Sequence, residues 1–431
     1  MTSYIRHVAK WILIVLLALL PFHALTVTAL NYGLGLADLF GTTMIVVLWK
    51  ETLLGFLTLL LIHRCTSERN MPRFDVMDKA ILAYILFGIV HFMLLQFVGA
   101  GEPSPLQAML GARYDYLFLW AFFIARRFGF SPREERLLLF TAFVSGLSSI
   151  VIGLVLHFGI TPERLIAIGF RNDWSTWYPG QSLAFCQRLE HQELCRMSGT
   201  FAGPNQLGAY IMVFAGIITM TLKTTVHRIL KISAYVAIPL AIIALIFTYS
   251  RSAYIGAFVF IAVLIFTSPL LSARMKKYIT FGGIMIAVLG ILFGLTQFQE
   301  IVLRADSTSG HLAAWYDGLR AFFANPLGIG LGTAGPASYR FASPLIPENW
   351  YLQVGIETGV AGLLLFLYAL FTLGRALYRR GNFELFSTLT ALAVMALFLH
   401  TFEDVPAMMT FFILIGVMTE YGRGKGETWG T

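Results

Sequence analysis

Runs of about twenty apolar residues recur along the chain, separated by short polar segments. At about 1.5 Å per helical residue, each run is long enough to cross a hydrocarbon layer about 30 Å thick. The pattern predicts twelve membrane-spanning helices, at 11–30, 41–62, 77–97, 108–125, 137–158, 205–222, 232–249, 253–270, 278–297, 351–374, 384–402 and 405–421. The first run follows Arg6 and Lys10, but no small-residue cleavage site comes after it and further runs do, so it reads as a retained helix and not as a leader. The expected fold is all-α, a single polytopic membrane domain over residues 1–431. No repeat, low-complexity tract or separate soluble domain interrupts it.

Composition agrees with the pattern. Of the 431 residues, 57% are hydrophobic and 13% charged, whereas soluble domains carry about 25% charged residues. Twenty-one of the 31 lysines and arginines fall in alternate connections, those holding Arg6, Arg64, Arg126, Lys223, Arg274, Arg375 and Arg423. Excess positive charge marks the cytoplasmic side, so that side and both termini are expected to be cytoplasmic. The net charge of +8 is then a topology signal, and nucleic-acid binding is not expected. Lys50 lies inside the second run beside Glu51, as an internal structural pair or a functional one.

The other nine cations are all arginines: Arg113, Arg164, Arg171, Arg188, Arg196, Arg251, Arg304, Arg320 and Arg340. All nine fall at or beyond the opposite, outer face. Arginine without lysine points to guanidinium geometry, which binds phosphate in a planar, bidentate manner and stays charged when partly buried. A lipid phosphate or pyrophosphate is the ligand a membrane offers. Arg164 and Arg188 sit beside Glu163 and Glu190 and fit loop ion pairs equally well, and Arg171 also reads as loop structure.

Two outer connections are long, 159–204 and 298–350, and both are rich in aromatic residues, arginine and glycine. Arg251, in Tyr249-Ser250-Arg251-Ser252, stands where a helix begins, so free N–H groups and the positive dipole end face the same spot. Arg196 precedes a second helix start, at Pro204-Asn205. Within the second long loop, Leu312, Trp315, Leu319 and Phe322 recur at helical spacing, with Asp317 and Arg320 off the stripe and Asn325-Pro326 at its end. Such an interfacial helix fits a lid over an outer cavity and fits plain packing. Glu348, just before the tenth span, is placed to take a proton from a sugar hydroxyl or to serve as a first-turn acid. Glu357 lies inside that span. Gly328, Gly330 and Gly332 form either an anion nest or a glycine turn. Cys186 and Cys195 either pair across a short loop in an oxidising compartment or remain two thiols. His191, His311 and His400 are scattered, and with no Asp-x-Asp pair or His/Cys cluster neither a metal site nor a cofactor is expected.

Four segments, in order, resemble the O-antigen ligase/polymerase superfamily of bacterial inner-membrane glycan-assembly enzymes. They are Arg196 to Asn205, Tyr249 to Ser252, Asn325 to Gly332 preceded by Arg304 and Trp315, and Glu348 to Gly359. The resemblance implies a twelve-helix, metal-independent glycosyltransferase working at the periplasmic face on a glycan carried by undecaprenyl pyrophosphate. It maps the pyrophosphate arginines onto Arg251 and Arg304. Family ligases carry a histidine before the asparagine that starts the tenth span, where this chain has Glu348, and that departure favours a polymerase. The expected catalytic residues are Glu348, Arg251 and Arg304. Arg196, Arg320, Arg340, Arg113, Asn205, Asn349 and Tyr351 are the expected substrate-binding residues. Lipid-linked oligosaccharide donor and acceptor, membrane lipids, a flippase and a chain-length regulator are the expected partners. The rival readings are a ligase acting on lipid A core or a protein and, more remotely, a transporter or flippase.

Overall fold

The structure, a computed structural model, describes residues 2–36, 43–68, 73–98, 103–171, 181–189, 194–269, 271–279, 281–283, 285, 305–341 and 344–419. The fold is all-α and polytopic. Among the described residues, seven helices are long and apolar enough to cross a membrane, and three shorter apolar helices accompany them. The helices are α1 (Thr2–Leu19), α2 (His23–Val27), α3 (Thr43–Glu68), α4 (Val76–Val98), α5 (Pro105–Ala125), α6 (Pro132–Phe158), α7 (Pro162–Ala167), α8 (Pro204–Thr224), α9 (Arg228–Thr248), α10 (Arg251–Thr267), α11 (Ala305–Ala324), α12 (Trp350–Arg379), α13 (Phe383–Met395) and α14 (Val405–Met418). A 3-10 turn joins α1 to α2 and a π turn extends α2, giving one continuous span, Tyr4–Gly33. The span expected at 108–125 is the helix α5, which carries Arg113 and Asp115 and is not among the seven. The run at 278–297 lies mostly outside the described residues.

Local chemistry sets the helix starts. Ser131 caps α6 in a reciprocal capping box with Glu134, Ser104 caps α5 by accepting from Gln107 N, and proline occupies the first turn of both. The core lies between α14 and α5, α10 and α13, and α12 and α4. α14 is buried along nearly its whole length, whereas α4 and α9 keep large apolar side chains such as Phe97 and Ile229 on the outside. An apolar exterior suits a protein whose solvent on that face is lipid.

Charged groups segregate to the two ends of the bundle. At one end Arg126 holds Asp75 and Asp78, each at 2.6 Å, and donates to Thr419 O, while Lys10 approaches Glu134 and Lys223 pairs with Glu384. At the other end α12 is interrupted at Gly359, whose φ of +70° only glycine adopts without strain. The break frees the Ile356 and Glu357 carbonyls, which accept from Ile329 N and Gly330 N, and Val360 N donates to Pro326 O. The glycine-rich loop after α11 is thereby stitched into α12 as if it were a missing turn.

Candidate functional site

Two adjoining cavities occupy the second end of the bundle, and Asn205 and Leu399 line both. The larger, about 410 Å³, is walled by Arg196, Arg251, Ser250, Ser252, Thr308 and His311, with Trp315 and Phe398 giving it an apolar side. The smaller, about 290 Å³, is walled by Glu348, His400, Glu403, Asp404, Arg113 and Lys50, with Tyr114, Tyr339 and Arg340 on its remaining sides.

The arginine cavity is built where three chain segments meet. Tyr249 takes a left-handed φ of 48°, which reverses the chain between α9 and α10 and brings Arg251 to the first position of α10. Ser250 holds the N-cap position, yet its hydroxyl does not cap the helix. It donates instead to Asn205 Oδ1 at 2.9 Å and lies 3.1 Å from Ser252 Oγ. Arg196 donates to the same Asn205 oxygen and to Thr248 O, both at 3.0 Å. Asn205, the second residue of α8, therefore ties both arginine segments together. Arg251 Nη1 donates to Thr308 Oγ1 at 2.8 Å, which links α10 to α11. A two-stranded hairpin, Gln187–Arg188 against Cys195–Arg196, delivers Arg196, and a disulfide between Cys186 and Cys195 closes it.

Glu348 stands at the junction of the cavities. It is the second non-glycine residue with a left-handed backbone among those described, with φ 48°. Such strain is held only where surrounding contacts over-determine the chain. Those contacts are close at hand: Asn349 caps α12 by accepting from Leu352 N and donates to Leu397 O, and Trp350 N donates to Ala396 O. The Glu348 carboxylate meets His311 Nδ1 at 2.5 Å. Burial pushes this carboxyl up, but the His311 hydrogen bond, followed by the electrostatic influence of the His311 and His400 rings, outweighs burial and holds it below its ordinary 4.5.

Sequence reasoning missed His311 as a partner of Glu348, and the reason is the face of α11. The expected stripe included Leu312 and Leu319, which are in fact 65% and 39% exposed. The packed face runs one residue to the side. Trp315 stacks on Phe398, Gly318 lies against Pro347, and Phe322 lies against Gly355. His311 belongs to that face. His400 was missed as well: its Nδ1 lies 2.6 Å from Gln353 Oε1, and the ring lines the smaller cavity.

The glycine loop is an anion nest occupied by the chain's own carboxyl. Gly332 N and Ala334 N donate to Glu357 Oε1 at 2.9 and 3.2 Å. Gly332 has φ +78°; a side chain at Gly111 of α5 would strike the Gly332 backbone, and one at Gly332 would strike the Gln107 carbonyl, so neither position admits a side chain. Lys50 and Glu51 join a larger cluster. Lys50 Nζ lies 2.9 Å from His23 Nε2 and 3.4 Å from Glu51 Oε1, and Arg113 binds the same Glu51 oxygen at 2.6 Å.

Of the other expected residues, Arg340 lines the smaller cavity, and Arg320 is exposed on α11 and lines neither. Asn349 serves as a helix cap, and the Tyr351 hydroxyl donates to Ala393 O. Arg304 lies outside the described residues.

The fold and the site define a polytopic helical membrane protein whose arginines, histidines and carboxylates converge at one end. Residues 236–367, less than half of the chain, match the family model described as O-Antigen ligase, and this match supports the resemblance to the O-antigen ligase/polymerase superfamily. The segment carries Arg251, His311, Glu348 and Glu357. A comparison with curated proteins gives no match.

Proposed function

We propose that the protein is a polysaccharide polymerase that joins glycan repeats carried on undecaprenyl pyrophosphate, in O-antigen or exopolysaccharide assembly. In this reading twelve spans cross the bacterial inner membrane, the termini are cytoplasmic and both cavities face the periplasm. The observation that carries it is the Glu348–His311 pair, set between an arginine-walled cavity and a carboxyl-walled one. A cystine beside Arg196 suits an oxidising compartment.

The chemistry follows from the placement. A hydroxyl of one lipid-linked repeat attacks the anomeric carbon of another, and Glu348 takes the hydroxyl proton. The anomeric C–O bond breaks, and undecaprenyl pyrophosphate leaves with the electron pair. Arg251, Arg196 and, by resemblance, Arg304 neutralise its charge at the N-terminus of α10. The lipid tail leaves past Trp315 and Phe398. Arg113 and Arg340 serve the sugar side, and Arg320, on the outer surface of α11, meets the more distant glycan. No metal enters the step.

A second reading, a ligase that moves the glycan to lipid A core or a protein, is favoured by the description of the matched family and by His311, which returns an imidazole to the place where the chain departs from the ligase pattern. Purified protein given lipid-linked repeats is expected to lengthen the glycan without added metal, and complete dependence on Mg²⁺ would overturn the mechanism. A null strain separates the readings: loss of a polymerase leaves a single capped repeat, whereas loss of a ligase leaves none.

A further inference from the structure

The wall of the smaller cavity formed by residues 400–404, between α13 and α14, carries polar atoms with no hydrogen-bond partner among the described residues, although His400 Nδ1 approaches Glu403 Oε2 to 3.9 Å. His400 Nε2, Thr401 Oγ1, both oxygens of Glu403 and Asp404 Oδ2 are buried and make no hydrogen bond among the described residues. Thr401 and Glu403 are only 4% and 5% exposed. All four side chains line the same cavity. Folded proteins rarely leave so many buried polar atoms unsatisfied side by side, because each loses its hydration without replacement. A run of this kind is explained by a ligand that supplies the partners.

The atoms specify the ligand. His400 Nδ1 lies 2.6 Å from Gln353 Oε1 and donates to it, which leaves Nε2 of the neutral ring as an acceptor. The oxygens of Glu403 and Asp404 also accept. A phosphate, chiefly an acceptor, can take a proton only from the Thr401 hydroxyl and leaves the acceptors of His400, Glu403 and Asp404 without a donor. A hydroxyl both donates and accepts, so a polyhydroxylated ligand satisfies the whole row. The cavity's inner cations are already engaged, Arg113 by Glu51 and Lys50 by His23 and Val47 O. Tyr114 adds an aromatic face. The wall abuts Glu348, which lines the same cavity.

We propose that the cavity walled by Thr401 and Glu403 is a saccharide subsite that seats the attacking glycan, while the arginine cavity seats the pyrophosphate. The assignment rests on the glycosyl-transfer reading, and its test separates the two. The probe is the repeat saccharide released from its lipid by mild acid and dephosphorylated, added to the full-length protein in nanodiscs and followed by saturation-transfer NMR. Wild-type protein binds it, and inorganic pyrophosphate does not displace it. Thr401→Val and Glu403→Gln each weaken binding at least fivefold, and Thr401→Ser restores it. Thermal melts matching the wild type establish that the variants are folded, and Arg251→Lys leaves saccharide binding unchanged. Absence of binding to the wild type, equal binding by Thr401→Val and Glu403→Gln, or displacement by pyrophosphate overturns the subsite. If lipid-linked repeats are extended while the saccharide ignores residues 401 and 403, the subsite falls and the reaction stands. If the saccharide binds at this wall while no extension occurs, the subsite stands and the reaction falls.

Discussion

His311 Nδ1 lies 2.5 Å from Glu348 Oε2 and joins the first half of α11 to the corner that begins α12. The two residues come from separate elements, and each stands against a different cavity. The bond fixes the rotamer of a carboxylate on a strained backbone, and it links any movement of α11 to the geometry of the junction.

Glu348→Gln is expected to lower kcat/KM by about 10²–10⁴-fold, the range for loss of a positioned proton acceptor. Because the folded carboxyl lies below 4.5, its ionised form is the one folding favours. The stabilisation is present above the ordinary value and is lost as pH falls through the lowered one. The acid limb of the wild-type pH profile therefore lies below 4.5. Removing His311 takes away its hydrogen bond and its charge, the larger lowering contributions, and leaves burial, which raises the carboxyl, opposed only by the smaller contribution of His400, so His311→Ala moves that limb to higher pH. A limb that stays in place in this variant would show that His311 does not act on Glu348.

Arg251→Lys is expected to lower kcat/KM by about 10²–10³-fold while leaving the melting temperature within a few degrees of the wild type. Lysine keeps the charge but loses the planar fork that meets pyrophosphate oxygens in pairs. Removal of one preorganised oxyanion donor costs a similar factor in other enzymes. Steady-state kinetics with lipid-linked donor measures it, and a near wild-type rate in Arg251→Lys refutes a guanidinium role.

The cystine carries a prediction through Arg196, the residue next to Cys195. A disulfide closing so short a loop contributes about 2–3 kcal/mol by restricting the unfolded chain. Replacing both Cys186 and Cys195 with serine is expected to loosen the hairpin and raise KM for the donor several-fold, with a smaller change in kcat. A thiol reductant should reproduce this in the wild type and have no effect on the double variant. Equal sensitivity of both proteins to reductant would place its target elsewhere.

The seven long apolar helices are legible in the chain because a bilayer imposes a simple rule, an apolar run of fixed length, and capping residues such as Ser131 and Asn349 mark helix starts locally. Much of the arginine cavity is legible for the same reason: Arg196 and Arg251 sit beside Pro204 and Ser250, at recognisable helix N-termini. The Glu348–His311 pair is not legible. It joins positions 37 residues apart, and the face that α11 presents is chosen by Gly318 fitting against Pro347 and by Trp315 finding Phe398. No periodicity within α11 encodes those neighbours. The carboxyl wall is half legible: in the chain Glu403 and Asp404 fit loop acids or a cavity lining equally well, and only the packing of α13, α14 and α5 around residues 401–403 decides for the cavity.

Glu357 tests how the glycine loop is held. Its Oε1 accepts from Gly332 N and Ala334 N, while the carbonyls freed by the break at Gly359 accept from Ile329 N and Gly330 N. The loop thus depends on one side chain and on the backbone of α12. Glu357→Gln keeps an oxygen acceptor at the same place and is expected to melt near the wild type. Glu357→Ala leaves two buried N–H groups without a partner, each costing about 1–3 kcal/mol, and also opens a cavity. Its melting temperature should fall by many degrees. Because the loop packs on Gln107 through Gly332, saccharide transfer should weaken in parallel as the loop moves. If Glu357→Ala and Glu357→Gln melt alike, the nest is held by the backbone of α12 alone, and the carboxyl at position 357 must answer to something other than the loop.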